Sequence, residues 1–144
     1  MDTEAIYAAL FNQLKDNLGT QIKTYSRKLK AADEIAPADQ PALFQVQGNQ
    51  VANAQTKLPN KWTLFADLFL YVHTEGTDAQ APTELLNPLR DAIVDVIEPD
   101  TPTMEQTLGG LVHSCRINGT LEIFDGALGE QAIAVIPVEI IVTP

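Results

Sequence analysis

Positive charge is what this chain has least of. It holds 9 Lys and Arg against 19 Asp and Glu in 144 residues, a formal net charge of −10 with a pI near 4.4. Affinity for phosphate backbones rests on clustered cations, so a protein whose main task is gripping nucleic acid is excluded. Cysteine occurs once, at Cys115, which leaves no internal disulfide framework and points to a reducing compartment. No apolar run approaches the roughly 18 residues that cross a bilayer, so no membrane partner is expected. The opening MDTEAIYAALFNQLKD carries acids where a secretion signal carries Lys or Arg, and export by that route is not expected either. Internal repeats and low-complexity tracts are missing too. What the chain has in quantity is core material. With 45% hydrophobic against 19% charged residues, it reads as one domain over residues 1–144 rather than a disordered chain.

The charge is unevenly placed. Residues 1–61 hold seven bases (Lys15, Lys23, Arg27, Lys28, Lys30, Lys57, Lys61) and six acids, whereas residues 62–144 hold two bases, Arg90 and Arg116, and thirteen acids. This asymmetry suits subunits that meet head to tail, basic part on acidic part, and equally a plain solvated surface kept soluble by excess negative charge.

Hydrophobic periodicity predicts the order αββ β α βββ. Ile6, Ala9, Leu10, Leu14 and Leu18 form a helical stripe over residues 3–18, with Asp2 or Thr3 as cap and Gly19 as stop. IKTYSRKL (22–29) and ALFQVQ (42–47) read as strands, and the stretches 30–41 and 48–60 as long loops. In WTLFADLFLYVHT (62–74), Trp62, Leu64, Ala66, Leu68, Leu70 and Val72 point one way. Phe65, Phe69 and Tyr71 point the other, with Thr63, Asp67 and His73. Both faces are largely apolar, so this strand is expected to be central and covered on both sides, or covered on one side and by a partner on the other. A loop at 75–83 leads to a helix over 84–99, with Leu85, Leu86, Leu89, Ile93 and Val96 inward, Thr83 or Asn87 as cap, and Pro99 and Pro102 as its end. LVHSCRI (111–117), Asn118-Gly119 and TLEIFD (120–125) read as a hairpin closed by a type I′ turn. AIAVIPVEIIV (132–142) reads as a last strand at an edge, or bulged at the donor-less Pro137. The expected class is α+β: a twisted, mainly antiparallel sheet with two helices packed against it and long inter-strand loops.

Candidate chemistry is thin. His113 and Cys115, two apart on a strand, share a face; with His73 they offer three ligands for zinc, or a Cys/His pair for nucleophilic catalysis. Neither spacing is a metal signature, and a buried Cys with a half-exposed His explains them as well. Asp91, Asp95 and Glu98 line one helix face, as a loose cation site or simply a solvated face. Asn118-Gly119-Thr120 matches a glycosylation acceptor but serves as a turn. Gly109-Gly110 and Gly126/Gly129 lack the following Lys or Ser/Thr of a phosphate loop. No cofactor, no metal and no enzymatic activity are expected.

Two features suit an assembly subunit: long, poorly periodic excursions, and a very apolar final strand placed near an edge. The residues that follow one another here, AIYAALFNQLKD, TYSRKL, PALFQVQG, WTLFADLFLYVHT, LLNPLRDAIVDVIEP, TLGGLVHSCRINGTLEIFDG and AIAVIPVEIIV, resemble the tail terminator (tail completion) proteins of long-tailed, non-contractile bacteriophages. The resemblance covers about residues 4–142 and rests on element order and hydrophobic texture. It implies a structural virion protein, assembled in the host cytoplasm, whose homohexameric ring caps the head-proximal end of the tail tube. The ring stops tube polymerisation and offers a surface to the head-completion (neck) proteins. DNA passes through its lumen without specific binding, and an acidic lumen suits that passage. Under this reading Arg27 and Lys28 are placed at subunit or tube contacts, and Phe44, Lys57, Leu58, Trp62 and Arg116 are candidate interface residues, although Trp62 reads first as a core residue. Rival readings are another neck or tube component of the same particle, and a small ligand-binding module.

Overall fold

The computed structural model describes residues 1–74, 81–98, 105–126 and 130–144. The loop expected at 75–83 and the helix end at Pro99 and Pro102 lie mostly or wholly outside these residues. Along the chain run α1 (Thr3–Leu18), β1 (Thr24–Ser26), β2 (Ala42–Gln55), β3 (Leu58–His73), α2 (Pro82–Ile97), β4 (Ser114–Ile117), β5 (Glu122–Phe124) and β6 (Gln131–Val142). This is the expected α+β order. The strands form one mixed, open sheet in the order β1-β2-β3-β6-β4, with β5 also paired to β6; only β1 and β2 run parallel.

Both helices lie on one face of the sheet. Asp2 caps α1 by accepting from the Ala5 N–H, and Gly19, at φ 54°, ends it in a conformation a side chain resists. Ile6, Leu10, Leu14 and Leu18 share one core with Leu64, Leu68 and Leu70 of β3 and Ala134, Ile136 and Ile140 of β6, all essentially inaccessible to water. Tyr7, absent from the apolar stripe read in the sequence, is also fully buried. Its hydroxyl donates to the Phe65 carbonyl at 2.9 Å, and the Gln45 amide donates to its backbone carbonyl at 2.9 Å, so α1 is pinned to both β2 and β3.

α2 starts earlier than expected, with Ala81 as its cap and Pro82, whose fixed φ suits a first turn, just inside; neither Thr83 nor Asn87 caps it. Leu86, Ile93 and Ile97 are its buried residues. Leu85, expected inward, is exposed: it stands one residue off the buried stripe of Leu86, Ile93 and Ile97.

Four further expectations are corrected. The strand read at 22–29 shrinks to Thr24–Ser26. The loop read at 48–60 is instead the far end of a long β2–β3 hairpin, turning at Thr56-Lys57. Asn118-Gly119 closes no hairpin: β4 and β5 do not pair with each other but lie end to end along β6. Of the two turn residues only Gly119 has positive φ, which rules out a type I′ turn. β6 is therefore internal rather than an edge. Pro137 explains the break: its carbonyl accepts from the Asn118 N–H, so the side on which it lacks a donor faces the gap between β4 and β5.

Candidate assembly surface

The two faces of the sheet differ in cover. The helices seal one. On the other, the segment 31–40, wound into two 3₁₀ turns, folds over one end only. There Ile35 packs with Ala42, Phe44 and Tyr71, and the Tyr71 hydroxyl donates to the Lys30 carbonyl at 2.8 Å. Beyond that lid the face is bare protein surface among the described residues. Register places Asp67 of β3 between Val46 of β2 and Pro137 of β6, with Phe65 and Phe69 two residues away along its own strand. All four apolar neighbours are partly exposed. The Asp67 carboxyl is pushed above the ordinary carboxylate range, first by partial burial and second by the charge of Glu122 on β5. Neither carboxylate forms an ion pair among the described residues. The strand 62–74 is thus central, with its second apolar face left partly open.

The β2–β3 hairpin runs past the sheet. From Asn53 to Gln55 and from Leu58 to Lys61 the two strands pair only with each other, since β6 joins β3 from Trp62 onward. A bulge at Gly48–Asn49, opposite Phe65, interrupts the ladder a few residues before the ribbon leaves the body. A side chain at 48 would be crowded, because a Cβ there would sit 3.1 Å from the Phe65 Cβ and carbonyl oxygen. Over residues 53–61 the ribbon carries Lys57 and Lys61 and no acid, and it exposes Leu58 (60%); Val51 (44%) lies just inside it, opposite Thr63.

The sequence candidates are spread over the molecule. Lys57 and Leu58 sit together at the ribbon tip, Lys57 in the left-handed region at φ 61°. Arg27, just past β1, forms a two-pronged ion pair with Glu4 of α1, whose hydrogen bond holds the Glu4 carboxyl below its usual range. Lys28 beside it is exposed. Arg116 lies on β4, on the same open face as Asp67 but beyond β6, paired with Glu139, which stands opposite Phe65. Trp62 points to the helix side and packs at the margin of the main core. Phe44 has no exposed surface: it stacks near Tyr71, ring centroids 5.3 Å apart, in the small core under the lid. Asp67 was not singled out in the sequence; its signal was a lone acid in a strand apolar on both faces.

The Cys/His pairing is taken apart. Cys115 is buried, and burial pushes its thiol up to about 12, where the nucleophilic thiolate is scarce at neutral pH. His113 precedes β4 and is exposed, and His73 at the far end of β3 lies 3.8 Å from Glu130. No group of three metal-ligating side chains occurs among the described residues. Asp91, Asp95 and Glu98 are all exposed, Asp91 paired with Arg90. A cleft of about 600 Å³ lies between the lid, the end of β3 and α2. Of its polar lining, the Gln40 amide is engaged with the Ile35 carbonyl and with Gln131. No helix among the described residues is long and apolar enough to span a membrane.

No family model and no curated protein matches the chain by sequence. Among solved structures, a chain from the virion of a native gene transfer agent particle is similar in fold, with a TM-score of 0.56 at 10% identity over 95% of this chain and 93% of that one.

Proposed function

We propose that this chain is a structural subunit of a phage-like particle, a tail terminator that closes into a ring on the head-proximal end of the tail tube. It is read as an assembly protein and not an enzyme. The observation that carries this reading is the likeness in fold, over nearly the full length of both chains, to a chain of a virion. The part-covered sheet face and the projecting ribbon support it, since both are surfaces a solitary domain has reason to cover or trim. One ring face copies the tube's subunit contacts and the other offers no site for a further tube ring, so growth ends. The excess of acid over base in residues 62–144 suits a lumen along which DNA slides without sticking. Neighbouring neck proteins then join the outer face.

Native mass spectrometry over a range of concentrations, with negative-stain imaging of the same samples, tests the reading. The expected result is a closed ring of about 94 kDa, six copies of 15.7 kDa, that adds to the ends of purified tail tubes and grows no longer. Long cylinders would make the chain a tube subunit. A monomer that leaves tube ends bare would overturn the terminator reading.

A further inference from the structure

The open sheet face and the projecting ribbon are complementary, and one chain carries both. The face around Asp67 is apolar and net anionic: Val46, Phe65, Phe69 and Pro137 surround a carboxylate that lacks a cationic partner among the described residues, with Glu122 nearby, and the cation Arg116 on this face is engaged with Glu139. The ribbon tip is apolar and cationic: Leu58 is exposed on a segment, residues 53–61, whose only charges are Lys57 and Lys61. Within one subunit the two cannot meet, because the ribbon continues β2 and β3 away from the face those same strands form. We propose that the ribbon tip of one copy docks on the open sheet face of the next, with Lys57 and Lys61 against Asp67 and Glu122. The occupant of the face is thus a second copy of this chain.

The contact is heterologous: two different patches meet, so each copy gives a ribbon and receives one. Such contacts propagate around a ring when the rotation closes. Docking would cover the half-exposed aromatics and supply the cation that Asp67 lacks, which gives the contact a charge register as well as an apolar area. This inference rests on the self-assembling reading above and adds which surfaces meet.

A charge exchange between copies tests it. Asp67→Lys alone, and Lys57→Glu with Lys61→Glu alone, each set like charges against each other in every contact. Each is expected to weaken self-association by about tenfold or more in sedimentation velocity. Mixed one to one, the two variants pair a glutamate ribbon with a lysine face and a lysine ribbon with an aspartate face. The mixture is expected to regain the parent's assembly, alternating the two chains, a recovery that general damage to the fold cannot produce. Circular dichroism of each variant separately checks folding. A second measurement fixes the geometry: Lys57→Cys and Asp67→Cys chains, mixed under oxidation, are expected to form the mixed disulfide in preference to either self-pair.

Rings that form unchanged in the single-charge variants, or a mixture no better than its components, would overturn the docking while leaving the ring reading standing. So would a dominant self-pair through position 57 or 67. A parent chain monomeric up to about 1 mM would also overturn the docking. Capping of tail tubes by that same monomer would show that the terminator reading survives without it.

Discussion

The β2–β3 ladder has two halves built of the same strands and the same backbone pairing, yet they live in different environments. In the lower half, Ala42 to Gln45 are all buried against residues 68–71, between the helices and the 31–40 lid. In the upper half, Gln50 to Ala54 and Leu58 to Asn60 are all exposed. Ladder hydrogen bonds replace bonds to water and add only about 0.5–1.5 kcal/mol each, and an isolated two-stranded hairpin is marginal. The lower half is therefore held by packing and the upper half by continuity with it. The ribbon thus adds little to the stability of the fold that carries it.

The largest effect expected from breaking this contrast comes from Leu68, fully buried at the centre of the sheet. Leu68→Ala is expected to lower unfolding free energy in urea by about 2–5 kcal/mol, whereas Leu58→Ala at the ribbon tip stays within about 0.5 kcal/mol. Equal losses at the two sites would abolish the distinction. The bulge between the halves comes next. Gly48→Ala puts a methyl 3.1 Å from Phe65, and a loss of about 1–3 kcal/mol is expected, read from the same urea midpoints. At the tip, Lys57 sits at φ 61°, so Lys57→Gly is expected to raise stability, by no more than about 1 kcal/mol.

The smallest effect belongs to Asp67. Its folded-state pKa lies above the ordinary 3.8, so the folded chain binds the proton more tightly than the unfolded one. Stability from this group is present at low pH and is lost as pH rises through that raised value. Asp67→Asn removes the loss. The variant is expected to gain about 0.5 kcal/mol or less at neutral pH and nothing at pH 3, measured as the pH dependence of the difference in melting temperature.

How much of this was legible follows the same division. Where one face is dry, periodicity speaks: Ile6, Leu10 and Leu14 announced α1, and the alternation from Leu64 to Val72 announced β3 with its correct inward set. The ribbon was read as a loop because both of its faces are wet, so Asn49 to Asn60 have no pattern for a period to reveal. The Asn118-Gly119 turn misled because hairpin chemistry is local, while the partner of β4 and β5 is β6, which lies further along the chain. The direction of Asp67 was read correctly. Its meaning was not, since that depends on the helices covering only one face and on the lid stopping short, which are facts of packing. Phe44 shows the converse: an aromatic flanked by apparent loops, it belongs to a core that exists only because the segment 31–40 folds back over it.

Pro137 has one more consequence. Along the outer side of β6 it leaves a four-residue strand and a three-residue strand in line with a gap at 118–121 between them. A foreign strand seeking to extend the sheet there meets two short berths out of step, neither long enough to hold it. Runaway stacking, the route by which exposed sheets become fibrils, is denied its seed on that flank. On that flank the sheet offers no edge along which copies could add without limit.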